Sequence, residues 1–281
     1  MISATLNGAS YYQFENLASV GGINHGIFTR NTGHSQPPYA SLNISYGIGD
    51  EEKAVAGNRS LVSGIMGAGE MTFIDQVHGC DIAVLGRDQK GHNHPRATKP
   101  VIADAVVTDR PENYLVIQVA DCQSVMMYEP ARQVVANVHS GWRGSIGNII
   151  GRTVEVMQKQ FGCRPDSILV GIGPSLGPCC AEFINYKTEI PKEFWRYKDP
   201  NDHFDFWAIS SDQLINAGIP AKNIASSQIC TRCRSEGTGH AGASLPDRLN
   251  DGHRRRHRGR AQTVDHAIPE GCDRSTCPEG R

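Results

Sequence analysis

With 281 residues, 39% of them hydrophobic, the chain can bury a substantial core as one large domain or two smaller ones. Its formal net charge of -1 gives no global pull toward nucleic acid or an anionic membrane, so neither is expected as a partner and any partner must be found from local features. Residues 1–20 lack a basic stretch followed by an apolar one, no apolar run approaches the roughly 18 residues of a spanning helix, and nine cysteines, an odd number, point to thiols or metal ligands in a reducing compartment; the expected location is cytoplasmic.

From about residue 20 to 230, short β-branched runs bounded by Gly, Asp or Pro read as strands: HGIFTR, MTFIDQVHG, DIAVLG, ADAVVTD, YLVIQVAD, SVMMYEP, VVANVHSG and SILVGIGP. Helices are expected over 52–66, over 145–161, and from near Ser211 to Gly218. In the second of these, Ile146, Ile149, Ile150, Val154 and Met157 recur at helical spacing ahead of Gly162. The runs at 114–121, 124–130 and 134–141 are joined by linkers too short for a crossover helix, which predicts three adjacent antiparallel strands. The expected class is therefore α+β rather than a doubly wound parallel sheet, with largely antiparallel or mixed sheets in a single domain over residues 1–231. Residues 86–100 read as an exposed loop. The last segment, 232–281, has no Lys, Phe, Tyr or Trp and is rich in arginine. Such a composition has too little apolar area to offset chain entropy, and predicts either a disordered tail or a GC-rich coding stretch read out of frame.

Cys122 closes one apolar run and His139 the next, with SGWRG following, while His78 ends the run before Gly79. Each alone is ordinarily a packed side chain. Together, at strand ends where sites are built, two histidines and a cysteine form a three-ligand set for catalytic zinc that leaves a fourth position for water or substrate. The same donors suit copper, for which Met126 or Met127 would be the weak axial ligand.

The blocks QVHG (76–79), ADC (120–122) and HSGWRG (139–144) resemble the three signature blocks of the laccase-domain family, also called multicopper polyphenol oxidase-like or YfiH-like proteins. Further matches are SLN (41–43), NR (58–59), ADA (103–105), GIGPSLGPCC (171–180) and CT (230–231), so the resemblance covers about residues 25–231. It implies an α/β sandwich holding zinc on His78, Cys122 and His139, and a purine nucleoside phosphorylase for adenosine, inosine and methylthioadenosine that also deaminates adenosine. Copper-dependent oxidation of phenols and editing of peptidoglycan precursors are also ascribed to the family, and a metal-binding protein without activity is a further alternative. Phosphorolysis wants a guanidinium near the metal, and Arg143 is the foremost candidate, ahead of Arg59 and Arg30. Asp121 and Asp104 are placed to orient a metal ligand, and the family match makes Asn43 a substrate contact. The protein is expected to be a monomer or homodimer.

The remaining motifs are weaker. CTRC (230–233) has zinc-knuckle spacing that Cys272 and Cys277 would have to complete, and the adjacent Cys179 and Cys180 are expected to pack beneath the site. HRRRHRGR (253–260) reads as a solvated tail rather than a nucleic-acid patch. After CT, family members usually continue into an aromatic, arginine-rich final strand of the form Phe-Ser-Tyr-Arg-Arg, which has no counterpart after Thr231.

Overall fold

The computed structural model describes residues 1–67, 70–86 and 101–233; the expected loop beyond Gly86 and the arginine-rich segment beyond Cys233, with Cys272, Cys277 and the basic run at 253–260, lie outside the described residues. Strands are β1 (Ile2–Leu6), β2 (Ala9–Gln13), β3 (Ile27–Phe28), β4 (Glu70–Asp75), β5 (Ile82–Leu85), β6 (Val101–Ile102), β7 (Ala105–Thr108), β8 (Asn113–Val116), β9 (Gln123–Glu129), β10 (Val134–Ser140), β11 (Leu169–Ile172) and β12 (Ile224–Ser226). Helices are α1 (Glu15–Ala18), α2 (Glu52–Met66), α3 (Trp142–Ile146), α4 (Ile149–Phe161), α5 (Tyr186–Glu189) and α6 (Phe206–Asn216).

A six-stranded mixed sheet in the order β12-β11-β9-β10-β7-β5 forms the middle of the molecule. The alternation of side chains along a strand sorts its two faces. Val125, Met127, Val134, Ala136 and Val138 point to one face, where they bury against Ile149, Ile150, Val154 and Met157 of α4 and Leu214 of α6. Each of the Val, Leu, Ile and Met side chains among them contributes about 1.5–3 kcal/mol when fully buried. The intervening residues face the other way. There Met126 and Tyr128 meet Phe14, Leu17 and Ile27, and Val106 meets Ile74 and Ala103. Asp104 and His139 share this second face, away from α4, which is how the strand register brings them together.

Two three-stranded sheets, β1-β2-β3 and β6-β4-β8, accompany the central one. The class is α+β, as the sequence predicts. The expected trio of antiparallel strands is half correct: β9 and β10 are antiparallel neighbours, but β8 pairs in parallel with β4 in another sheet. The reason lies at Gln118, whose N–H donates to the Gln76 side chain while its C=O accepts from it, so this backbone is spent before the chain reaches β9. β3 and β8 stand at the edges of their sheets and border a cleft of about 760 Å³, lined also by His25, Met126 and Asn137.

The 52–66 helix forms as expected and ends on Gly67, whose left-handed φ of 64° a glycine accepts without strain. The 145–161 helix is broken at Asn148 (φ 54°) into α3 and α4, with the Asn148 side chain accepting from the Gly151 N–H to start the second piece. The third helix begins earlier than Ser211, at Phe206, because Asp205 caps it through the Ala208 N–H. No helix among the described residues is long and apolar enough to cross a membrane.

Candidate metal centre

Two loops and the end of a strand, at one end of the central sheet, deliver the expected ligands. Cys122 immediately precedes β9, His139 is the penultimate residue of β10, and His78 lies in the turn after β4. One ligand atom of each lies within 4.8 Å of the others, and the two imidazole rings meet edge to face with centroids 4.7 Å apart. His139 is buried, Cys122 half-buried and His78 exposed, so the centre is closed on the sheet side and open on the His78 side.

Asp104 organises this geometry from below. Fully buried just before β7, it accepts the His139 Nδ1 proton on Oδ1 at 2.8 Å, the His78 N–H on Oδ1 at 2.9 Å and the Gly79 N–H on Oδ2 at 2.6 Å. Burial alone would raise its carboxyl; the His139 hydrogen bond and the two backbone N–H groups outweigh that and hold it below the usual carboxylate range. With Nδ1 committed, His139 offers Nε2 toward Cys122 and His78. His78 itself sits at φ 59°, a left-handed conformation that costs a non-glycine residue about 1 kcal/mol and is held by those N–H bonds. Burial, and then the nearby His139 and Arg143, push the His78 imidazole below its ordinary value, with Asp104 opposing.

Gly141 lies against two of the ligands. A Cβ there would stand 3.2 Å from both Cys122 Sγ and His78 Cδ2, so any side chain would press on two ligands at once. Among the further candidates, Arg143 is on the exposed rim, its guanidinium 4.5 Å from the centroid of the Trp142 ring. Asp121, beside Cys122, accepts from the Thr231 hydroxyl at 2.6 Å. Asn43, on the loop before α2, and Arg59, within α2, reach the centre only indirectly. Asn43 donates to Asp50 at 2.7 Å, Arg59 donates to the Ile44 carbonyl and lies over the Phe73 and Tyr46 rings, and Ser45 and Ile44 both hydrogen-bond Gln118, which pairs with Gln76 two residues before His78. Arg30 is spent on the Ala40 carbonyl. Met126 and Met127 lie further along β9 than Ser124, the residue opposite His139, and are packed in hydrophobic clusters. The Gln76–Gln118 pair was missed from sequence, although Gln76 stands inside the QVHG block.

Residues 24–237 match the family described as multi-copper polyphenol oxidoreductase laccase. The chain belongs to that family. Among its laccase-family relatives is the purine nucleoside phosphorylase YlmD of Geobacillus stearothermophilus, 31% identical over 220 residues that make up 74% of this chain and 80% of the relative. Adenosine deaminase RL5, from an unknown prokaryotic organism, is 28% identical over 232 residues, covering 76% of this chain and 86% of its own. The crystal structure of YlmD from Geobacillus stearothermophilus superposes with a TM-score of 0.70 at 27% identity, over 84% of this chain and 91% of that one.

Proposed function

We propose that this laccase-family chain is a zinc-dependent purine nucleoside phosphorylase that takes adenosine, inosine and methylthioadenosine, deaminates adenosine at the same centre, and works in the cytoplasm. The observation that carries the reading is the convergence of His78, Cys122 and His139 over one buried carboxylate, in a chain whose relatives include a named phosphorylase and a named deaminase.

The donor set fits the ion. Burial first, and then the charges of Asp121 and Asp104, push the Cys122 thiol up to about 12, so without a metal it keeps its proton and is a poor nucleophile, and only a bound cation would draw the proton off. Zinc would supply Lewis acidity at this point, to polarise the purine or to activate water for attack on adenosine C6. The protein does the rest. Asp104 fixes the His139 tautomer, Gly141 lets the ligands close up, and Arg143, exposed on the rim, holds phosphate beside the ribose C1′ as the bond from C1′ to the purine breaks and one to a phosphate oxygen forms.

The test is inosine plus phosphate. Wild type should bind zinc and release hypoxanthine only with phosphate present, and Cys122→Ala should lose both. Arg143→Ala should keep its zinc and raise the KM for phosphate roughly 10–100-fold, the loss of a charge-assisted contact of about 1.5–3 kcal/mol. Zinc bound with no nucleoside consumed would sink the reading. The family's description supports copper-dependent phenol oxidation as a second reading, but neither Met126 nor Met127 is placed as an axial donor. Phenol oxidation by repurified, copper-exchanged protein would revive it.

A further inference from the structure

The expected partners of CTRC were Cys272 and Cys277, but the fold supplies others. Cys230 and Cys233, on the turn that follows β12, meet Cys179 and Cys180, on the turn that follows β11, and the four sulfurs all lie within 4.8 Å of one another. Cys233 Sγ is 3.3 Å from both Cys179 Sγ and Cys180 Sγ. We propose that Cys179, Cys180, Cys230 and Cys233 hold a second metal ion, a structural zinc bound by four thiolates and separate from the centre at His78.

Sulfurs at about 2.3 Å from zinc sit about 3.8 Å apart along the edges of a tetrahedron, a spacing the four thiols bracket before any adjustment. Cys180 and Cys230 are buried and Cys179 and Cys233 half-buried, so the ion would be shielded yet reachable from one side. A disulfide between Cys179 and Cys180 is disfavoured, because consecutive Cα atoms are about 3.8 Å apart and an unstrained bridge needs about 4.4 Å or more.

The backbone is already arranged as for a thiolate. Gly177 donates its N–H to Cys230 Sγ at 3.3 Å, and the N–H groups of Arg232 and Cys233 point at the same sulfur. Gly177 has room for no more, since a Cβ there would come within 3.0 Å of Cys230 and 2.7 Å of the Trp207 ring. Around the cluster, Ser175 and Cys230 form a parallel bridge, and the Thr231 N–H donates to the Ser175 carbonyl at 3.1 Å.

This staple bears on the first centre. The Thr231 hydroxyl holds the Asp121 carboxylate at 2.6 Å, and the Leu176 N–H holds the Asp121 carbonyl at 2.9 Å. Both donors belong to the two segments that the four thiolates join, and Asp121 is the residue before Cys122. The second ion would therefore position the Cys122 loop without touching substrate.

The full chain, purified with reductant and without added metal, provides the test. Wild type should hold about two zinc ions and Cys122→Ala about one. X-ray absorption at the zinc edge of Cys122→Ala should show four sulfur neighbours at about 2.3 Å. Cys179→Ser should lower that shell to three sulfurs, whereas the double variant Cys272→Ser/Cys277→Ser should leave it at four. The proposal is overturned if Cys122→Ala holds no zinc, if its zinc has a shell of nitrogen or oxygen, if the double variant loses sulfur neighbours, or if peptide mapping of wild type finds these cysteines in disulfides. A readout on the first centre follows as well. Cys233→Ser should release the zinc of the His78 centre to a chelator several-fold faster than wild type, and equal release rates for that ion would refute the coupling through Asp121.

Discussion

Asp104 combines more of the site than any ligand does. One buried carboxylate sets the tautomer of His139 and, through two consecutive N–H groups, the path of the chain through His78 and Gly79. Asp104→Asn would turn an NH₂ group toward one of those donors, and metal affinity should fall about 10–100-fold in a chelator competition while the far-ultraviolet spectrum stays unchanged. His25 is the second residue with a definite consequence. Its Nε2 accepts the Phe14 N–H at 2.8 Å, and burial lowers its imidazole from 6.5 to about 4. Because the folded value lies below the unfolded one, its contribution is complete above pH 6.5 and is lost as the pH falls toward 4. Urea unfolding between those limits should weaken by up to about 3 kcal/mol, and His25→Gln, which accepts the same N–H without titrating, should flatten the profile. At this scale the sequence was informative where chemistry is rare. Two histidines and a cysteine at strand ends stood out, and so did Asp104 within ADA. His25 did not, because a histidine after a polar residue carries no mark of the backbone N–H it will receive.

Among the elements, the joint between α3 and α4 shows how local geometry overrides periodicity. Five apolar residues at helical spacing run straight through it, yet Asn148 turns left-handed there and caps the second piece, and a side chain at Gly147 would collide with Cys80 Sγ. Asn148→Ala loses the cap and strains the backbone, and should cost about 1–2 kcal/mol in chemical denaturation; Asn148→Gly, free to adopt positive φ, should cost less. The β9–β10 hairpin was legible because its strands are adjacent in sequence and alternate cleanly. β8 was not, since its parallel partner β4 lies about forty residues earlier, paired from Glu70 with Asn113, and such long-range pairing leaves no short-range pattern. The β1–β2 hairpin was missed for another reason. β1 is mostly exposed and carries little of the apolar alternation by which strands are recognised. The cysteine clusters divide in the same way: CTRC announced a knuckle, but its nearness to Cys179 and Cys180 depends on β11 and β12 being parallel neighbours.

For the molecule as a whole, the ligand-bearing loops sit on a well-filled central layer, with α4 and α6 on one face and the metal centre at one end. The boundary expected at residue 231 falls within the turn that carries Cys230 and Cys233, so truncation after Thr231 should release Thr231 and lower the thermal midpoint, whereas truncation after Cys233 should not; differential scanning calorimetry of the two chains would show it. The cleft between β3 and β8 carries a different liability. Among the described residues each strand there has a sheet neighbour on one side, and both strands line the same cleft of about 760 Å³. Sheet edges of this kind can pair with the edge of a second molecule, although the Leu115 carbonyl of β8 already accepts from the Asn137 side chain at 3.1 Å. Edge-to-edge pairing should give, in light scattering, an average mass that climbs with protein concentration; a mass that stays constant over the range would show these edges to be closed in solution.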